Sequence, residues 1–307
     1  MSKVFIEETS LTAIGDAIRA KTGGTEMLTV PSGMVDAIAS ITTGGGGDSG
    51  GRNLLQEFYT NNFREPTKIV DHEIVSVKNY AFYGSDIYAF ESNSMTQMSD
   101  WCLANAKIRR LELPNLMNFG QSGLEDCSYL KEVDFPKVTW LGINNLRDCN
   151  RLISVKMPNL LNASSGMASL RDSVSLQNVY FKQINSIPTR CFSGCSNIVA
   201  IDLPETCTTI NGYAFTDCSN LSYLVLRSPT VVTLSNKNAF NGCSNLTIFV
   251  PDDLVDSYNS ATNWSALYNT LGMSADSVFH PISDCNLRAM GHYYGEENTI
   301  NTDLAYG

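Results

Sequence analysis

Phe192-Ser193-Gly194-Cys195-Ser196-Asn197-Ile198-Val199-Ala200-Ile201-Asp202-Leu203-Pro204 is followed 23 residues later by Phe215-Thr216-Asp217-Cys218-Ser219-Asn220-Leu221-Ser222-Tyr223-Leu224-Val225-Leu226. Such self-similarity at a fixed period is the mark of a stacked repeat. Working outward, the pattern recurs at Leu124-Glu125-Asp126-Cys127 through Pro136 and at Leu146-Arg147-Asp148-Cys149 through Pro158. A looser copy has Ser173 in the cysteine place, with Leu170, Leu176, Val179 and Phe181 around it. Phe240, Cys243, Leu246, Ile248 and Val250 form the last copy. Two degenerate copies precede the rest, around Phe82-Ile87-Phe90 and Leu103-Ile108-Leu111. One column then reads Phe90, Leu111, Val133, Val155, Val179, Ile201, Leu224, Ile248, with steps of 21, 22, 22, 24, 22, 23 and 24 residues.

Each copy alternates apolar and polar residues at the column, as in Val133-Asp134-Phe135, so a short strand is expected with its apolar side chains inward. Proline or a polar turn ends it. Phenylalanine and cysteine three apart suit one helical turn on the other side of the coil. A single coil cannot bury its own apolar face; stacked coils share one core. The repeated thiols Cys127, Cys149, Cys195, Cys218 and Cys243 are expected to fill one small buried slot per coil as free, compact apolar groups. A disulfide or a metal ligand is the alternative, with Cys191 and Cys195 the nearest thing to a ligand pair; no second pair stands at zinc spacing.

Over these copies the chain resembles the BspA-type, or treponemal-type, leucine-rich repeat. The resemblance implies an α/β solenoid with parallel strands on one face, and binding or adhesion rather than catalysis. The expected organisation is an attachment module over 1–42, a Gly-rich linker over 43–51, the solenoid with an N-terminal cap over 52–251, and a capping helix with a C-terminal tail over 252–307. Ile69-Val70 and Ile74-Val75 are expected at the edge or cap of the first coil. Leu254, Val255, Tyr258, Ala261, Trp264, Leu267, Tyr268 and Leu271 recur at helical spacing and predict the capping helix.

At the N-terminus, Ser10 can cap a helix with Leu11, Ile14 and Ile18 on its apolar face, and Met34, Val35, Ile38 and Ile41 make a second apolar set. The run Ser10 to Gly24, with Leu28, Val30-Pro31 and Gly33-Met34, resembles a short N-terminal module of bacteriophage tail-associated proteins. That resemblance implies attachment to other tail or baseplate proteins, with a trimer as one arrangement. Gly44 to Gly51 reads as a flexible linker of roughly 15–25 Å.

Composition bounds the chemistry. The 307 residues are 43% apolar and 17% charged, with a net charge of −10. No Lys/Arg cluster suits a nucleic-acid backbone, and an anionic membrane would repel the chain. The apolar run Val4-Phe5-Ile6 is too short for an export signal, and no stretch of 18 apolar residues occurs. The expectation is synthesis in a host cytoplasm and a final place in a virion tail. Three histidines, His72, His280 and His292, lie outside the repeats, and no nucleophile elbow, zinc motif or phosphate loop appears. Cys285 with His292 lacks an orienting third group. No enzyme activity and no cofactor are expected.

Binding is the remaining function. Glu112, Asp134, Lys156, Tyr180, Asp202, Val225 and Phe249 are expected to form an outward row, flanked by Arg110, Glu132, Ser154, Asn178, Ala200, Tyr223 and Thr247. Tyr180, Asp202, Tyr223, Lys156, Asn178 and Asp134 are the candidate contacts for a bacterial surface glycan or protein, through ring stacking and hydrogen bonds. A solvated sheet face is the plain alternative. The function expected is a tail or baseplate-associated fibre protein; a bacterial surface or secreted adhesin and a purely structural virion decoration are the alternatives.

Overall fold

A computed structural model of the chain describes residues 52–54, 67–163, 169–272 and 278–285. The predicted helices carrying Leu11, Ile14, Ile18, Met34 and Ile38 lie outside these residues, as do the linker and the tail beyond 285.

The column residues sit in one row of strands: β2 (Thr67–Val70), β4 (Ile87–Glu91), β6 (Arg110–Glu112), β8 (Glu132–Asp134), β10 (Ser154–Lys156), β12 (Asn178–Tyr180), β14 (Ala200–Leu203), β16 (Tyr223–Leu226) and β18 (Thr247–Val250). Every ladder is parallel, and register pairs column residue with column residue: Phe90 with Leu111, Val133 with Val155, Val155 with Val179, Ile201 with Leu224, Leu224 with Ile248. Ile69 extends the column at one end, and Phe279 of β19 (Phe279–Pro281) extends it at the other. Among the described strands β2 lies at an edge, as expected of Ile69-Val70, whereas Ile74-Val75 lies in β3 (Ile74–Val77), paired on both sides by β1 (Arg52–Leu54) and β5 (Gln97–Met98).

Parallel strands run on a second face as well, where the repeat pattern predicts them on one face only. This row comprises β1 (Arg52–Leu54), β3 (Ile74–Val77), β5 (Gln97–Met98), β7 (Asn118–Phe119), β9 (Trp140–Leu141), β11 (Asn162–Ala163), β13 (Ser186–Ile187), β15 (Thr209–Ile210) and β17 (Thr233–Leu234). Most are two residues long and bury one side chain each: Met98, Phe119, Leu141, Ile187, Ile210 and Leu234 are at most 2% exposed. One inward residue per coil is too little to register as alternation, although the recurrence at one coil length was present.

The Phe-x-x-Cys segments are turns rather than helical turns; in the last coil a 3-10 helix, Lys237–Phe240, leads into the segment. Left-handed residues are the reason. Gly84, Asn105, Asp126, Asp148, Asp172, Gly194, Asp217 and Gly242 each precede the cysteine place with positive φ. Right-handed helix cannot pass through such a residue. Glycine, asparagine and aspartate are the types that adopt it most easily, which explains their use at this place.

Between the two rows lies one apolar core. Phe192, Phe215 and Phe240 are fully buried and stack nearly parallel at 5.3 and 5.2 Å, one ring per coil. Asn145, also fully buried, accepts from Gly123 N (2.7 Å) and donates to Gly120 O (2.7 Å), so both ends of its amide are satisfied.

The C-terminal cap is two short helices, α1 (Val255–Ser260) and α2 (Leu267–Leu271), in place of the single helix expected. It closes the exposed edge of β17. Tyr258 Oη accepts from Val232 N (2.9 Å), Trp264 Nε1 donates to Val232 O (2.6 Å) and Asn263 Nδ2 donates to Leu234 O (2.7 Å). Side chains thus take the hydrogen bonds that a further coil would have made. The row of longer strands is extended separately, by β19.

Candidate functional site

The outward row exists, and its residues divide into groups. Hydrogen-bonded pairing stops between β6 and β8 and again between β12 and β14, so the face is three sheets side by side: β2-β4-β6, β8-β10-β12 and β14-β16-β18-β19. The outward row thus runs across three hydrogen-bonded ladders.

On the middle sheet, Asp134, Lys156 and Tyr180 are in register on adjacent strands, as are Glu132, Ser154 and Asn178. Lys156 Nζ lies 3.3 Å from an Asp134 oxygen. That pair is partly solvated, so it orients the two side chains more than it stabilises the fold. Ser154 and Asn178 are 4% and 3% exposed, and Ser154 Oγ and Asn178 Nδ2 have no hydrogen-bond partner among the described residues. A buried polar atom without a partner costs free energy, and these two lie beneath the accessible surface of the face.

The third sheet is different. Asp202 is held by Arg227 through two bonds, Nε to Oδ1 at 2.7 Å and Nη2 to Oδ2 at 2.8 Å. Burial pushes the Asp202 carboxyl up, and the Arg227 guanidinium works against that shift. Next to the pair, Ala200, Val225 and Phe249 form a small apolar cluster on the outer side, with Tyr223, Ile282 and Cys285 packed on it. Tyr223 stacks on Phe249 at 6.5 Å, and His280 lies 6.1 Å beyond. The chain following β19 thus covers part of the face on which a ligand was expected. Asp202 and Tyr223 belong to this covered region; Asp134, Lys156, Asn178 and Tyr180 belong to the middle sheet. Arg227 lies just past the end of β16, outside the alternation that marked the row, so pattern reading passed over it.

The thiols are free, and eight of the nine are buried. They do more than fill space. Cys127 Sγ donates to Leu103 O (3.2 Å), Cys149 to Leu124 O (3.2 Å), Cys195 to Leu170 O (3.0 Å), Cys218 to Phe192 O (3.0 Å) and Cys243 to Phe215 O (3.3 Å). Each bond joins one coil to the coil before it. Ser173 Oγ makes the same bond to Leu146 O at 2.7 Å, which shows why serine can stand in this column. Burial pushes the Cys149 and Cys243 thiols up to about 12. They stay protonated near neutral pH, unlike a nucleophile or metal ligand. Among the described residues no group of three or more His, Cys, Asp or Glu is placed to hold a metal ion. No described helix is long and apolar enough to cross a membrane. His292, the imagined partner of Cys285, lies outside the described residues.

The profile of the BspA type leucine rich repeat region matches residues 56–168 and 165–270, in six copies. The chain belongs to that family. The match begins after the N-terminal segment and does not bear on its resemblance to phage tail proteins. A leucine-rich repeat protein from Bacteroides ovatus has the same fold, with TM-score 0.50 and 21% identity over 70% of this chain and 53% of that one. A leucine rich cell surface protein from Faecalibacterium prausnitzii aligns with TM-score 0.42 and 19% identity over 64% of this chain and 61% of that one. The pneumococcal vaccine antigen PcpA aligns with TM-score 0.31 and 15% identity over 60% of this chain and 61% of that one. This BspA-type chain thus spans between about half and three fifths of the length of these structures. No curated protein matches it significantly.

Proposed function

We propose that this BspA-type solenoid is a non-enzymatic, adhesin-like scaffold that binds a surface glycan or protein through the middle sheet of its outer face. The carrying observation is the accessible row Asp134, Lys156 and Tyr180, in register on three adjacent strands, with Lys156 Nζ 3.3 Å from an Asp134 oxygen. Strands about 4.8 Å apart space these groups for a ligand lying across them. The repeat family supports a binding role, and the eight buried thiols, held protonated by burial, offer no nucleophile.

The test is saturable binding of the labelled chain to bacterial cell-wall preparations and to epithelial cell layers. Lys156→Ala with Tyr180→Ala is expected to weaken binding at least about tenfold, the loss of one charged and one aromatic contact, with the melting midpoint kept. Absence of saturable binding to both surfaces, or equal binding by the double variant, refutes this assignment.

A second reading rests on Ser10 to Met34, whose resemblance to a phage tail module and following Gly-rich linker favour attachment to a virion. In that reading the N-terminus contacts tail or baseplate proteins and the solenoid faces the bacterium. Immunolabelling of purified particles and of intact cells separates the two locations.

A further inference from the structure

Away from the outer face, the turns of the first coils carry a cluster of rings. Tyr80 and Tyr83 are 38% and 41% exposed, and Trp101 is half-buried. Tyr80 and Trp101 occupy the same place in successive coils; their rings are 6.1 Å apart and parallel within 5°. Tyr83 meets both, at 5.8 Å from Tyr80 and 6.5 Å from Trp101. None of the three belongs to the buried core.

Their backbone is costly. Tyr80 and Trp101 have φ of 59° and 57°, a region unfavourable to bulky side chains. Ser122 and Asn144 occupy the same place in the next two coils with the same sign of φ, and asparagine adopts it far more easily. Tyr213 also stands at this place, and there the Arg190 guanidinium lies 5.4 Å from the ring centre. Arg190 stands at this place too, with φ of 57°, so the conformation belongs to the coil turn, and at Tyr80 and Trp101 it presents two rings outside the core.

Planar polar groups run alongside. Asn79, Asp100 and Gln121 precede the three successive turn residues. Asn79 Oδ1 accepts from Asp100 N (3.2 Å) and Asp100 Oδ1 accepts from Gln121 N (2.7 Å). These bonds fix both side chains by one oxygen each and leave the Asn79 amide nitrogen and the second Asp100 oxygen for a ligand.

We infer that Tyr80, Tyr83 and Trp101 form a carbohydrate platform for a neutral oligo- or polysaccharide. Sugar rings present C–H faces that stack on aromatic rings and hydroxyls that take both donors and acceptors. Asn79 and Asp100 supply one of each beside the rings. Uncharged sugars fit a chain of net charge −10, which repels acidic glycans. The platform is separate from the middle sheet and does not depend on the assignment made there.

The experiment is affinity electrophoresis of the full chain in native gels containing starch, xylan, mannan or a soluble β-1,3-glucan. At least one polysaccharide is expected to retard the protein. Tyr80→Asn with Trp101→Asn should reduce the apparent affinity at least about tenfold. Its melting midpoint should hold or rise, because asparagine relaxes both turns. Val174→Ala, at an exposed turn of another coil, should leave the retardation unchanged. No retardation by any of the four polymers, or equal retardation of the asparagine variant, overturns the inference. A dimer in light scattering that the asparagine variant abolishes, with retardation unmoved, makes the rings a self-association surface instead and also overturns it.

Discussion

Gly242→Ala tests whether the coil turns are set by backbone handedness together with close approach between coils. Gly242 has φ of 82°. A Cβ there would lie 2.7 Å from Asp217 Oδ1 and 3.1 Å from both Asp217 Cα and N. The left-handed conformation alone costs an alanine about 1–2 kcal/mol. Pressing a methyl into a neighbouring backbone adds about 1–3 kcal/mol, so the total is about 2–5 kcal/mol. Gly84→Ala is the control, since Gly84 has φ of 63° with nothing within 4 Å of its Cβ position. It should cost only the conformational part, about 1–2 kcal/mol. Urea unfolding followed by circular dichroism measures both. Asp217→Gly placed on Gly242→Ala should recover only part of the loss, because it removes the carboxylate contact and leaves the backbone ones. Equal costs for Gly242→Ala and Gly84→Ala would refute the close-approach argument, and no cost at either would refute the handedness argument as well.

Alkaline pH should destabilise the fold: a thiol raised from 9.0 to about 12 stays protonated when folded and ionises when unfolded. Its stabilising contribution is full below pH 9 and is lost between pH 9 and about 12, at roughly 1.4 kcal/mol per unit for each thiol; a urea midpoint that is flat from pH 8.5 to 10.5 would contradict this. At pH 8 an aromatic disulfide reagent should leave the eight buried thiols unreactive in the native state and modify them after unfolding, as counted by released thiolate. Asn145→Ala leaves the buried Gly123 N and the partly buried Gly120 O without their partner and should cost about 1–3 kcal/mol in urea unfolding. Trp264→Phe removes the donor to Val232 O, and hydrogen exchange at β17 should quicken while exchange at β8 does not change.

The long-strand row was legible because each coil contributes two or three inward apolar residues at period 2, and eight coils repeat them. Val155 between Val133 and Val179 is placed by sequence alone. The second row was not, because a strand such as Gln97–Met98 offers one inward residue. The left-handed turns carried a signal in Gly, Asn and Asp before each cysteine, yet the Phe-x-x-Cys spacing alone pointed to helix. For the candidate site, alternation identified the outward positions and could not say which remain open. Lys156 and Tyr180 share a sheet, while Asp202 is bound by Arg227 and Val225 is covered by Ile282 and Cys285.

The sequence by itself determined the coil length, the strand column, the buried thiol column and the family, because each is a local pattern that repetition amplifies. Tertiary structure alone decided what touches across coils and around the ends. It set the thiol-to-carbonyl bonds, the closing of β17 by Tyr258, Asn263 and Trp264, the return of β19 onto β18, and the meeting of Tyr80, Tyr83 and Trp101. Nearly all of those contacts join residues of different coils that only stacking brings within a few ångström, and no periodicity encodes which of them will meet.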